Sequence, residues 1–155
     1  MASAYDDAVR ALSRRPLTRR EIEDRLRSRG HPAEDVDETI ARLTAERALD
    51  DEALARNLIE KRGRSRGQDR AVAELVARGI PEAAAQAAWK SASDEGAIDV
   101  DAALARAVSR RLGPPPGRAS LARLARVYNA LLSEGFEREP VEAALAPYGL
   151  ERIEP

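Results

Sequence analysis

The sequence contains no cysteine and a single histidine, His31. Without cysteine the chain can form no disulfide, no thiolate nucleophile and no thiolate-bound metal centre. One histidine, outside any histidine–carboxylate cluster at metal-ligand spacing, leaves little for acid–base catalysis near neutral pH. We therefore expect a protein that is not an enzyme and needs no cofactor or metal. His31 follows a helix-ending glycine and is expected to pack as an apolar contact on the preceding helix.

Aromatic residues and long apolar runs are also scarce. Aromatic residues make up 3% of the chain, and charged residues make up 34%, which leaves no apolar run of the roughly 20 residues that a membrane span needs. Residues 1–16 carry charged side chains instead of an apolar signal core. We expect a soluble, cytoplasmic protein without membrane contact.

The residues that are abundant favour helices. Alanine occurs 31 times and arginine 24 times against 2 lysines, whereas β-branched and aromatic residues are few. Alanine and arginine have high helix propensity, and the scarce residues are those that favour strands. A length of 155 residues fits one unit with a real hydrophobic core. The composition thus predicts an all-α fold.

Three glycines reveal an internal repeat. Gly30, Gly79 and Gly135 each stand four residues after a leucine. This spacing predicts a helix that ends at a glycine in the left-handed conformation. Apolar residues then recur six and ten positions after each glycine, as on one face of a following helix: Val36 and Ile40, Ala85 and Trp89, Val141 and Leu145. A further helix is predicted ahead of each glycine-terminated one, which makes three helices per repeat.

The repeat predicts the fold class, an all-α tandem array of three three-helix, helix-turn-helix-like repeats. Its approximate bounds are 1–49, 50–96 and 97–155, within a single unit 1–155. Units of such arrays contact only their neighbours. We therefore expect an elongated, curved monomer whose long face suits an extended partner.

Several helix starts can also be predicted. Thr18 and Glu21 have the S/T-x-x-E spacing of a capping box, in which each side chain satisfies a free backbone amide of the other. Asp50 and Asp51 are expected to cap the first helix of the second repeat. The Pro-Pro-Pro-Gly segment at 114–117 cannot continue a helix and predicts a stiff connection inside the third repeat.

A net charge of −1 conceals two runs of basic residues. Residues 10–20 contain five arginines and no acid, and residues 56–70 contain six basic residues against two acidic ones. Because arginine binds carboxylates and phosphates bidentately, we predict a partner- or nucleoprotein-binding surface from both runs. A solvated face is the alternative for each arginine. The candidates are Arg14, Arg15, Arg19, Arg20, Arg56, Arg62, Arg64, Arg66 and Arg70.

Acidic residues cluster in other parts of the chain, at 94–101 and at 134–142. A molecule that is basic at one end and acidic at the other would repel a uniform nucleic-acid track along part of its length. The charge distribution therefore favours a protein or nucleoprotein partner.

The junction of the first two repeats resembles the signature of the RecX family. The matching residues are Leu49-Asp50-Asp51-Glu52-Ala53-Leu54-Ala55-Arg56, followed by Arg62, Gly67, Arg70 and Glu74-Leu75. The opening and closing repeats are similar to the family in the same order, so the resemblance covers nearly the whole chain. The chain departs from it at Leu54, where the family usually has an aromatic residue, and at Glu134, where an arginine is common.

The resemblance implies three tandem three-helix repeats and a bacterial regulator that binds the RecA recombinase filament. Such a regulator limits filament extension and damps the ATPase, strand-exchange and coprotease activities of RecA, with roles in DNA repair, DNA recombination and the SOS response. No catalytic residue is implied. Arg62 and Arg70 are the best candidates for contacts, and Gly67 is expected to serve the turn that presents them. A weak contact with single- or double-stranded DNA is expected as well.

Two alternatives stay open at this point. A direct DNA-binding helical-repeat protein would read the phosphate backbone through the same arginines, and its affinity would fall steeply with salt. A plain helical scaffold for another protein would leave recombinase turnover unchanged and would be insensitive to the arginine substitutions.

Overall fold

The computed structural model describes residues 1–150, which contain helices and no strands. The nine α-helices are α1 (Ala4–Leu12), α2 (Arg19–Ser28), α3 (Ala33–Ala45), α4 (Asp51–Arg62), α5 (Gln68–Ala77), α6 (Glu82–Asp94), α7 (Val100–Leu112), α8 (Leu121–Ser133) and α9 (Arg138–Leu145). A 3₁₀ turn, Ala146–Tyr148, follows α9. This architecture confirms the predicted all-α class.

The helices form three units, and each unit has its own hydrophobic core. Ile22, Leu26 and Leu43 are fully buried among α1–α3. The core of α4–α6 contains Ile59, Leu75 and Trp89, so Trp89 packs as its place in the repeat predicts. The core of α7–α9 is built in the same way, around Leu124, Leu131, Val141 and Leu145. The repeat bounds of 1–49, 50–96 and 97–155 stay a prediction.

The helix-ending glycines have the predicted conformation. The φ angles of Gly30, Gly79 and Gly135 are 85°, 93° and 89°. In each case the amide of the next residue donates to the carbonyl oxygen of the leucine four residues before the glycine, at 3.2, 3.1 and 3.2 Å. This six-residue hydrogen bond satisfies a carbonyl that the helix leaves free at its end.

The predicted caps are present, with a different role for one aspartate. The Thr18 hydroxyl accepts from the Glu21 amide at 3.2 Å, and Glu21 Oε2 accepts from the Thr18 amide at 2.9 Å. Asp50 Oδ1 caps α4 by accepting from the Ala53 amide at 3.0 Å. Asp51 instead accepts from the Arg19 amide of the first unit at 2.9 Å. It therefore links two units in addition to its favourable place in the first turn of α4.

His31 makes a polar contact that the sequence analysis does not predict. Its Nε2 lies 2.8 Å from Oδ2 of the buried Asp7, whose Oδ1 accepts from Arg29 at 2.9 Å. The hydrogen bond from His31, with the charge of Arg29, holds the pKa of the Asp7 carboxyl below its usual range although burial raises it. The expectation of an apolar contact was wrong, because Asp7 points into the first unit beside the end of α2.

The first and second units meet at the first joint, where the start of α2 contacts the end of α5. The Thr18 hydroxyl donates to the Arg78 carbonyl oxygen at 2.7 Å. The Arg78 guanidinium donates to both carboxylate oxygens of Glu21 at 2.9 and 2.8 Å and to the Pro16 carbonyl at 3.0 Å. The first joint is therefore held mainly by side chains.

The second and third units meet at the second joint, where the start of α5 contacts the end of α8. The Gly67 amide donates to the Glu134 carbonyl oxygen at 2.9 Å. A Cβ on Gly67 would lie 2.1 Å from the carbonyl carbon of Gly135. The φ of Gly67 is −77°, which any residue adopts. The chain thus needs glycine here because two backbones approach closely, and not because of the turn.

Candidate partner-binding surface

The turn between α4 and α5 carries the second arginine run on the surface. We call Arg62, Arg64, Arg66 and Arg70 the basic turn; Arg62, Arg64 and Arg70 are exposed and Arg66 is half-buried. The turn is ordered by bonds from the Ser65 and Arg66 amides to the Arg62 carbonyl at 2.9 and 2.8 Å. Arg106 of α7 donates to the Arg64 carbonyl at 3.0 Å. The third unit therefore holds the basic turn in place.

The basic turn has more positive charge than its surroundings neutralise. Arg62 and Arg70 share one carboxylate, Glu74, at 2.6 and 3.6 Å. Neither Arg64 nor Arg66 forms an ion pair with any residue of the range 1–150. Four arginines against Glu74 and the exposed Asp69 leave a local excess of cations, which favours an anionic partner group.

The first arginine run is placed differently. Three of its arginines pair with carboxylates on α2: Arg15 with Glu21 at 3.7 Å, Arg19 with Glu23 at 2.8 Å and Arg20 with Asp24 at 3.9 Å. Arg14 is exposed and has no ion-pair partner within the described part of the chain. Exposed pairs of this kind contribute about 0–1 kcal/mol and exchange readily for a partner. The first run is thus nearer to electrical balance than the basic turn.

Arg56 is engaged inside the second unit. Its guanidinium donates to Glu60 at 2.6 Å, and to Ser91 of α6 and the adjoining Glu95 at 3.2 Å each. The hydrogen bonds to Glu95 and Glu60 raise the pKa of Arg56, and the same contact with Arg56 lowers the pKa of Glu95 to about 2. Arg56 therefore ties α4 to α6, and a role for it in partner binding stays a prediction.

A pocket lies beside the first joint, between the start of α2, the end of α3 and the start of α4. One of its lining residues, Arg47, is not among the candidates predicted from the sequence. The volume of the pocket is about 620 Å³. Arg47 has a φ of 56° and is the one non-glycine residue with positive φ in residues 1–150. The sequence does contain a hint of this: Arg47 stands four residues after Leu43, and the corresponding residue of the second repeat is Gly96. The pocket is lined by Arg19, Thr44, Arg47, Leu49, Asp50 and Asp51.

Residues 1–150 contain neither a cluster of metal-binding side chains nor a membrane-spanning helix. No three His, Asp or Glu side chains of residues 1–150 converge as they would around a metal ion. No helix in that range is both long and apolar enough to cross a membrane. The fold and the surface define an all-α repeat protein whose candidate site is an arginine-rich surface for binding another macromolecule.

Comparisons with known proteins narrow this class. Residues 4–43 match the family described as RecX, first three-helix domain. The chain is 33% identical over 146 residues to the regulatory protein RecX of Chromohalobacter salexigens, covering 94% of this chain and 92% of that protein. The chain belongs to the RecX family.

Further relatives agree with this assignment. The regulatory protein RecX of Geobacillus kaustophilus is 30% identical over 149 residues, which cover 94% of this chain and 54% of that longer protein. The crystal structure of RecX from Lactobacillus salivarius superimposes with a TM-score of 0.74 at 22% identity, over 97% of this chain and 96% of that one. This likeness confirms the fold.

Proposed function

We propose that the chain binds the RecA recombinase filament and restrains it. In this proposal it limits filament extension and lowers the ATPase, strand-exchange and coprotease activities of RecA, without a catalytic step of its own. The basic turn, with Arg62, Arg64, Arg66 and Arg70, supplies the main contacts, and the first arginine run supplies weaker ones.

The observation that carries the proposal is the basic turn in a chain of the RecX family. The turn lies at the surface, is held by Arg106, and its four arginines share a single ion-paired carboxylate, Glu74. A fixed cationic surface loses less conformational entropy when it binds than a mobile one does. Arg64 and Arg66 lack ion-pair partners among the described residues, so they are the side chains best placed to bind an acidic group of a partner.

The test is ATP turnover by the cognate RecA on single-stranded DNA while the protein is titrated in. The variant Arg64→Ala/Arg66→Ala removes two arginines that hold no carboxylate in residues 1–150. The matched control is Arg27→Ala/Arg126→Ala, which removes two exposed arginines outside the basic turn. Circular dichroism and thermal melting establish that each variant is folded.

We expect the wild-type protein and the control to inhibit well below one molecule per recombinase. The double variant should need at least tenfold more protein for half-inhibition, because each lost charge-assisted contact is worth about 1.5–3 kcal/mol. Absence of inhibition by the folded wild-type protein would contradict the proposed function. Equal inhibition by the double variant would show that Arg64 and Arg66 of the basic turn do not contribute to inhibition.

The second candidate function, direct DNA binding, is favoured by the same unpaired arginines. A DNA binder loses affinity as salt displaces its phosphate contacts, so the slope of log affinity against log salt counts them. The double variant should then flatten that slope for naked DNA by about two. Inhibition of RecA at salt concentrations where naked-DNA binding is negligible would favour the filament regulator.

A further inference from the structure

We infer that Arg47, at the first joint, is a partner-binding residue that receives a carboxylate of a protein surface. The inference rests on the proposed function and adds to it a specific contact at the pocket of Arg47, next to Arg19 of the first arginine run and distinct from the basic turn. Three observations carry it: the backbone conformation of Arg47, the state of its side chain and the composition of its pocket.

The backbone position calls for glycine. Arg47 ends α3 in the same way that Gly96 ends α6, with φ angles of 56° and 71°. The hydrogen bonds also correspond: Arg47 donates to the Thr44 carbonyl at 3.1 Å, and Gly96 donates to the Ser93 carbonyl at 3.0 Å. An L-residue with a Cβ is strained in this conformation, whereas glycine is not. The first repeat therefore keeps an arginine where the second repeat has the residue that the backbone prefers.

No contact of the Arg47 side chain explains why the first repeat has arginine at this position. Arg47 is exposed, and it forms no ion pair with any residue of the described range 1–150. By contrast, Arg42, one turn earlier on α3, pairs with Glu46 at 3.0 Å and stacks over the Tyr5 ring at 3.6 Å. Residues held in strained backbone conformations cluster at active sites and ligand-binding positions. The guanidinium of Arg47 is thus available to a partner.

The pocket around Arg47 indicates the chemistry of that partner. Arg19 and Arg47 supply positive charge, and Asp50 and Asp51 supply negative charge beside them. Asp50 also accepts a hydrogen bond from the Ala53 amide, and Asp51 accepts one from the Arg19 amide. A phosphate backbone would be repelled by the two carboxylates, whereas a protein surface can present a carboxylate to Arg47 and a cation to the aspartates. Mixed charge therefore favours a protein partner over nucleic acid.

The deciding variant is Arg47→Gly, because it removes the side chain and the backbone strain together. Its melting temperature should equal or exceed that of the wild-type protein, so a loss of binding cannot come from unfolding. Arg47→Asn is the companion variant, since asparagine tolerates the left-handed conformation and carries no charge. Arg27→Ala, which removes an exposed arginine elsewhere, is the control for net charge.

Two measurements are made on each protein: co-sedimentation with RecA filaments formed on single-stranded DNA, and affinity for the same naked DNA. We expect both Arg47 variants to bind filaments about tenfold more weakly, with naked-DNA affinity and the Arg27→Ala control unchanged.

Filament binding by Arg47→Gly at the wild-type level would overturn the inference and leave the proposed function standing. An equal loss on naked DNA would overturn it in favour of a phosphate contact. If the wild-type protein did not bind filaments, the proposed function would fail and this inference with it.

Discussion

The two joints connect similar helices by different means. At the first joint, the hydroxyl of Thr18 and the ion pair of Arg78 with Glu21 connect α2 to α5. At the second joint, a backbone amide of Gly67 donates directly to a backbone carbonyl, and two glycines touch. The first joint can adjust through side-chain rotation, whereas the second is fixed by the contact of two main chains.

The two joints should therefore be weakened by different changes. Side-chain contacts tolerate small changes in shape and depend on charge, whereas a close backbone contact tolerates no added atom and is indifferent to pH. The two candidate binding surfaces also lie at different joints. The basic turn lies at the rigid second joint, and the mixed-charge pocket of Arg47 lies at the adjustable first joint.

Gly135→Ala should have the largest effect on stability. Its Cβ would lie 2.3 Å from the backbone nitrogen of Arg70, in addition to the left-handed penalty at a φ of 89°. We expect a loss of about 3 kcal/mol in the free energy of unfolding, of which roughly half is steric. Urea denaturation followed by circular dichroism measures it. A loss of about 1 kcal/mol or less would show that the second joint adjusts as well.

Gly79→Ala should cost less, about 2 kcal/mol, because it adds to the left-handed penalty a contact that can be relieved only in part. Its φ is 93°, and the added Cβ would lie 2.5 Å from Arg20 Cδ, which can rotate aside, and 2.6 Å from Arg20 Cβ, which moves only with the backbone of α2. Gly30→Ala is the matched control, because its φ is 85° and no atom lies within 4 Å of the added Cβ. The same urea titration should place Gly79→Ala between this control, at about 1 kcal/mol, and Gly135→Ala. A cost at Gly79 close to that at Gly135 would remove the distinction between the joints.

The smallest effect should be the dependence on pH that Glu21 gives to the first joint. Burial raises the pKa of Glu21, but hydrogen bonds from Arg78 and from the Thr18 amide outweigh it and hold this pKa below its usual range. A carboxyl with a lowered pKa stabilises the fold above its unfolded pKa, about 4.3, and this contribution disappears as the pH falls through the folded value.

Glu21→Gln, which keeps the capping box, tests this dependence. The stability advantage of the wild-type protein over the variant, measured by urea denaturation, should shrink as the pH falls from 7 to 3. Glu38→Gln, at an exposed position of α3, serves as the control for loss of a carboxylate. A constant advantage across that range would show that the Thr18 hydroxyl, and not the ion pair of Glu21 with Arg78, stabilises the first joint.

Local features of the fold were predictable from the sequence. The spacing of Leu26 to Gly30 and the pair Thr18 and Glu21 act within one or two turns of helix, so they can be recognised without a structure. The contact of Gly67 with Gly135 could not be predicted, because it joins residues far apart in the chain. The same reason explains why the sequence does not show that Arg62 and Arg70 share Glu74, or that Arg56 is engaged with Glu95.

The way the units connect also has a consequence for how copies of the chain meet one another. Arg29 at the end of α2 is exposed, as are Ser120 and Arg123 at the start of α8. An end-to-end meeting of two copies would be a head-to-tail contact, the kind that propagates into an open filament. In that contact Arg29 would face Arg123, at the two positions where the first joint pairs Arg78 with Glu21. Arg29 is paired with Asp7 of its own chain, so such a contact would have no counterpart of the pair between Arg78 and Glu21.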